Sequence, residues 1–102
     1  MTILTVMYPK TEQSHFDMSY YLEKHVPLVK ERLEAFGLED VRLMRGTATL
    51  DGAAPKYEVV AQFAFPSVQH VQDALGRHGQ EIIADIPMFT NIQPTIQINE
   101  GL

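Results

Sequence analysis

Residues 57–65 read YEVVAQFAF. At the two-residue repeat of a strand, Tyr57, Val59, Ala61, Phe63 and Phe65 share one face. Glu58, Val60, Gln62 and Ala64 share the other, which is mixed rather than charged and does not read as a face open to water. A strand of this kind needs cover on both sides. The flanking segments show what supplies the first cover.

On the C-terminal side, Ser67 caps a helix that carries Val68, Val71, Leu75 and His78 at steps of three, four and three. Gly76 weakens its end and Gly79 is a candidate terminator. Residues 80–85 read as one further turn before Pro87. On the N-terminal side, Asp51-Gly52 starts a turn that Pro55 closes, and Val41–Leu50 reads as the preceding strand.

Further out, Asp17 is a candidate N-cap, with Phe16 and Tyr21 placed as a hydrophobic staple. Met18, Leu22, Val26, Val29, Leu33 and Phe36 follow as one apolar stripe, and Gly37 supplies a left-handed stop. Pro27 falls inside this pattern. It lacks a donor and disfavours helical geometry at Val26, so a kink or break near His25 is expected. Thr2–Tyr8 is a first strand stopped by Pro9, and Ile92–Ile98 a last one, with Pro94 marking an edge or a bulge.

The order β-α-β-β-α-β is the ferredoxin-like pattern, an α+β fold with an antiparallel four-stranded sheet and both helices on one face. The uncovered face is too apolar to stay wet. A second copy is therefore expected to cover it, giving a homodimer through the sheet face, a dimeric α+β barrel.

The 102 residues fit one domain spanning 1–102. A net charge of −5, with no basic run, argues against nucleic acid as a partner. The absence of cysteine excludes disulfides, thiolate metal sites and a cysteine nucleophile. The segment MTILTVMYPK is too short and unflanked for a signal peptide, and no apolar run approaches a membrane span, so the cytoplasm is the expected compartment.

Chemistry then falls to four histidines. His25 lies beside the apolar stripe, one turn after Tyr21; a phenol next to an imidazole suits acid–base work or substrate orientation. The competing reading is a packed imidazole bonded to a carbonyl freed by Pro27. His78 falls in phase with the second helix's stripe, where it serves equally as a helix-terminal or core residue. His15 and His70 read as surface residues. Glu81, three residues after His78, is the only pair with metal-like spacing, and no third ligand is evident, so no metal and no cofactor are expected. Tyr8, Tyr20, Tyr21, Tyr57, Phe63, Phe65 and Phe89 could wall an aromatic-binding cavity or simply fill the core. There is no phosphate-binding glycine loop and no nucleophile elbow.

Tyr8-Pro9 followed by Phe16-Asp17-x-x-Tyr20-Tyr21-x-x-x-His25-x-Pro27-Leu28 resembles the opening of the EthD family, named for ethyl tert-butyl ether degradation. Pro55-x-Tyr57, Phe65-x-Ser67 and the run from Ala74 through His78-Gly79-x-Glu81 to Asp85-Ile86-Pro87-x-Phe89-Thr90-Asn91 extend the likeness over nearly the whole chain. The resemblance implies a ferredoxin-like protomer in a dimeric α+β barrel, in a superfamily that includes cofactor-free monooxygenases, cyclases and isomerases. It places His25, and less directly His78, where relatives carry an acid–base histidine. It implies a small aromatic or alicyclic ligand, handled by a cofactor-free oxidoreductase or by proton transfer with Tyr21 assisting. The alternative is a non-catalytic accessory protein that supports an ether-degrading oxygenase. Haem ligation through His25 rests on that one residue.

Overall fold

Thr2–Pro9 forms the first strand, β1, in a computed structural model that describes residues 1–102. Three further strands follow: β2 (Asp40–Arg45), β3 (Tyr57–Phe65) and β4 (Thr95–Glu100). All pairings are antiparallel, and the sheet order is β2-β3-β1-β4. β4 pairs only with β1, so it is the edge that Pro94 pointed to, with the proline just outside the strand. The fold is the expected ferredoxin-like α+β arrangement.

The first helical run has four parts: α1 (Met18–Tyr20), a π turn over Tyr21–His25, α2 (Val26–Leu33) and a 3₁₀ turn over Glu34–Phe36. Asp17 caps it by accepting from the Tyr20 backbone N–H, the Phe16 and Tyr21 rings meet at 5.0 Å, and Gly37 ends it at φ 92°. The irregularity expected near His25 is there, but as a π turn rather than a break. Val26 keeps helical geometry at φ −61°, ψ −43°, and its N–H bonds to the Tyr21 carbonyl, five residues back. A proline ring collides with the carbonyl four residues before it, and a widened π turn relieves that crowding without ending the helix.

This turn also shifts the buried stripe. Five residues back from Val26 is Tyr21, which is buried, whereas Leu22, predicted to face inward, is 49% exposed.

α3 (Val68–Asp85) begins at Ser67, whose hydroxyl accepts from the His70 backbone N–H. It runs straight through Gly79, so the predicted terminator is instead a buried interior residue, and the helix reaches Asp85 before a 3₁₀ turn over Ile86–Met88. The strand predicted to reach Leu50 stops at Arg45. Gly46 still donates to the Glu58 carbonyl, but a Cβ there would lie 1.9 Å from the Tyr57 carbonyl oxygen. Beyond this close approach the chain leaves the sheet and turns, with Thr49 accepting from Gly52 and donating to Ala53. Ile92, read as part of the last strand, packs instead in a cluster with Tyr8 and Phe89.

The helices cover one sheet face. Leu4, Ala61, Phe63 and Phe65 pack there with Val29, Leu33, Val71 and Ala74. A second cluster, toward the other end, joins Tyr8, Tyr21, Val26, Val59, Ile86, Phe89 and Ile92. The opposite face presents Ile3, Met7, Met44, Val60 and Ala64 among Thr5, Arg42, Gln62 and Gln97, with no helix over it. No helix is long and apolar enough to cross a membrane.

Candidate functional site

Between the two clusters the core is not closed. A cavity of about 410 Å³ separates the sheet from the helices, walled by Leu4, Val6, Ala61 and Phe63 below and by Val29, Leu33 and Ile82 above. Tyr8, Tyr21 and His25 also line it. Tyr8 arrives from the end of β1, and the other two from the first and last positions of the π turn.

The segment after α3 is held against the first helical run by a seam. The Asp17 N–H donates to the Phe89 carbonyl, Thr90 Oγ1 donates to the His15 carbonyl, and the His15 N–H donates to Asn91 Oδ1. The seam fixes Phe89 against the site, with ring centroids 4.6 Å from His25, 5.1 Å from Tyr21 and 5.9 Å from Tyr8. Tyr21 and His25 stack at 5.7 Å and 20°.

His25 Nδ1 lies 2.9 Å from Asp85 Oδ2, at the end of α3. A carboxylate only accepts, so Nδ1 carries the proton and Nε2 keeps its lone pair. The other carboxylate oxygen, Oδ1, accepts from the Tyr20 hydroxyl at 2.8 Å. Burial pushes the His25 pKa below its ordinary value, and the hydrogen bond and charge of Asp85 oppose that without cancelling it. The resting imidazole is therefore neutral near pH 7, with Asp85 and the negative end of the α3 dipole placed to stabilise an imidazolium if one forms.

Neither the Tyr8 nor the Tyr21 hydroxyl bonds to another group of the protein, nor does His25 Nε2. Yet no sealed side-chain polar atom in the chain lacks a partner. These three atoms consequently retain accessible surface, and the space their residues share is the cavity. Burial raises the pKa of both phenols, and for Tyr8 the neighbouring Tyr21 adds to the rise. Both stay protonated and can donate. The arrangement thus offers one base and two hydrogen-bond donors at one end of an otherwise apolar space.

His78 lies elsewhere. Its ring packs edge-on against Phe36 and stands 3.7 Å from Glu81, whose carboxylate is held by Arg32 at 2.9 Å. It does not line the cavity, and no third metal-ligating side chain joins the pair. His70 bonds Ser67 Oγ at the surface, and His15 serves the seam through its backbone. Of the aromatics, Tyr57 is partly exposed and Phe65 is sealed in the core. Asp85 was not singled out for chemistry in the sequence. It lies 60 positions from His25, and its one signal is its place in the Asp85-Ile86-Pro87 element.

No protein-family model matches the chain, and no curated protein does. Among solved structures it is similar to an EthD-like protein from Ralstonia eutropha JMP134, with 36% identity and a TM-score of 0.89 over 97% of this chain and 89% of that one. The chain belongs to the EthD-like family. An EthD family protein from Bacillus halodurans C-125 shares the fold at 17% identity and a TM-score of 0.71, covering 100% of this chain and 99% of that one. So does a dimeric ferredoxin-like protein from an uncultured marine organism, at 14% identity and a TM-score of 0.56 over 99% and 92% of the two chains. The family resemblance seen in the Tyr20-Tyr21-x-x-x-His25-x-Pro27 and His78-Gly79-x-Glu81 elements is thereby confirmed.

Proposed function

We propose that this EthD-like protein is a proton-transfer enzyme acting on a small, largely apolar carbonyl or phenolic compound, with His25 as its base. One observation carries the reading: a neutral imidazole, oriented by Asp85, presents its free Nε2 to an apolar cavity beside two unpartnered hydroxyls. Nε2 takes a proton from a carbon next to the substrate carbonyl. The C–H electron pair moves to form a C=C bond as the carbonyl pair shifts to oxygen, giving an enolate. The Tyr8 and Tyr21 hydroxyls donate hydrogen bonds to that oxygen. The imidazolium returns its proton to the same or another carbon, so the balance is a tautomerisation with no change of oxidation state. Proton removal is also the first step of cofactor-free oxygenation, the oxidoreductase alternative.

A homodimer through the free sheet face belongs to this reading, supported by Ile3, Met7, Met44, Val60 and Ala64 on that face. It leaves the cavity on the helix side.

The test is hydrogen–deuterium exchange of β-tetralone, an uncharged bicyclic ketone, followed by NMR in D2O. The wild-type protein should accelerate exchange, and His25→Gln should lose roughly 10²–10⁴-fold of that acceleration. Exchange no faster than in buffer, or unchanged in His25→Gln, overturns the catalytic reading and leaves a ligand-holding, accessory role.

A further inference from the structure

The cavity wall also restricts what enters. Fourteen of its seventeen lining residues are hydrophobic, and the other three are His25, Gly79 and Gln80. No lysine or arginine reaches it. The charge nearest its polar end is Asp85, bonded to His25 and negative. An anionic ligand would shed its hydration without gaining a counter-charge and would be repelled by that carboxylate.

The way in is also marked. Only four lining residues are exposed: Gln80, Ile83 and Ala84 on one side of α3, and Ile96 on β4. Ile83 and Ile96 are 56% and 45% exposed. Together with Ile86 they also wall a second hollow that continues outward past Thr90 and Gln93. Passage from the surface into the cavity therefore runs between these isoleucines. Ile96 pairs with Val6 and faces the helix side, so a partner on the free sheet face does not cover this mouth.

We infer that the cavity selects an uncharged ring compound of about two fused rings, at the smaller end of ligand-pocket sizes, with its oxygen function at His25 and its entry between Ile83 and Ile96. This rests on the reading of the cavity as the reacting site, but its test does not require turnover.

The probes are β-naphthol and its anionic counterpart β-naphthoate, titrated calorimetrically at pH 7. Naphthol should bind saturably, and naphthoate at least about tenfold more weakly. Ile83→Trp and Ile96→Trp should weaken naphthol binding and slow its association by stopped flow. Ile98→Trp, a similarly exposed β4 isoleucine that does not line the cavity, should change neither. His25→Gln should still bind naphthol, so absent tetralone exchange with intact naphthol binding refutes the proton-transfer reading alone. Naphthoate binding as tightly as naphthol, or mouth variants with native circular dichroism that bind no differently from Ile98→Trp, overturns the assignment.

Discussion

Asp85→Asn removes a charge from behind the proposed base while keeping the shape of the side chain. The carboxylate is 18% exposed and the imidazole 5%, so the pair is poorly screened by water. Hydrogen bonds to charged groups contribute about 1.5–3 kcal/mol, against about 1 for a neutral pair. Losing the carboxylate weakens stabilisation of the imidazolium that forms on proton abstraction. The difference of about 0.5–2 kcal/mol, at 1.36 kcal/mol per decade, should slow exchange by about two- to thirtyfold, less than the loss in His25→Gln. A second readout needs no substrate. Burial lowers the His25 pKa and Asp85 opposes it, so Asp85→Asn should lower it further. Ring-nitrogen NMR across a pH titration measures this directly and reports which nitrogen carries the proton. Tyr20→Phe leaves the carboxylate charged and should produce a smaller effect in both assays. A His25 titration that stays put or moves upward in Asp85→Asn, with exchange as fast as in wild type, would refute the coupling argued from the geometry.

Other expectations follow from the same contacts. Because His25 resists protonation when folded, the unfolded chain takes up a proton first; stability should fall as pH drops below about 6.5, and His25→Gln should flatten that slope in denaturant titrations. Tyr8 and Tyr21 hold their protons more tightly when folded, so stability should also fall as pH rises above about 10, less steeply in Tyr21→Phe. Val60→Asp puts a charge on the free sheet face; light scattering should show a mass near twice 11.5 kDa for wild type and 11.5 kDa for the variant, and a wild-type monomer at micromolar concentration would sink the dimer. Gly46→Ala forces a methyl against the Tyr57 carbonyl and should lower stability by about 1–3 kcal/mol, read as a shifted denaturation midpoint.

The element order was legible because the alternation in β3 and the caps at Asp17, Ser67 and Gly37 are local signals, and each is used as read. The errors arise where tertiary contact overrides a local pattern. Alternation continues to Leu50, yet the backbone leaves the sheet at Gly46 because of a neighbour eleven residues away in sequence. Gly79 can end a helix, but here it is packed inside one, facing the cavity. In the site, His25 and Tyr21 stood out as a phenol and an imidazole a turn apart. Asp85 did not, since no local rule joins residues 25 and 85, and only folding brings the end of α3 to the π turn.

The π turn and Pro27 have a joint history to tell. A π turn is a helix carrying one surplus residue, and a mid-helix proline is by itself a defect costing about 3 kcal/mol. Here each tolerates the other: the widened turn makes room for the ring, and the ring sits where a regular hydrogen bond was already forfeited. The two are thus epistatic. Removing one residue from Leu22–Lys24 would restore four-residue spacing between Tyr21 and Val26 and bring back the full proline penalty, while Pro27→Ala would leave the surplus residue without its counterpart. Lineages of this fold should gain or lose the pair together, and a gap opposite residues 22–24 should coincide with a non-proline at position 27.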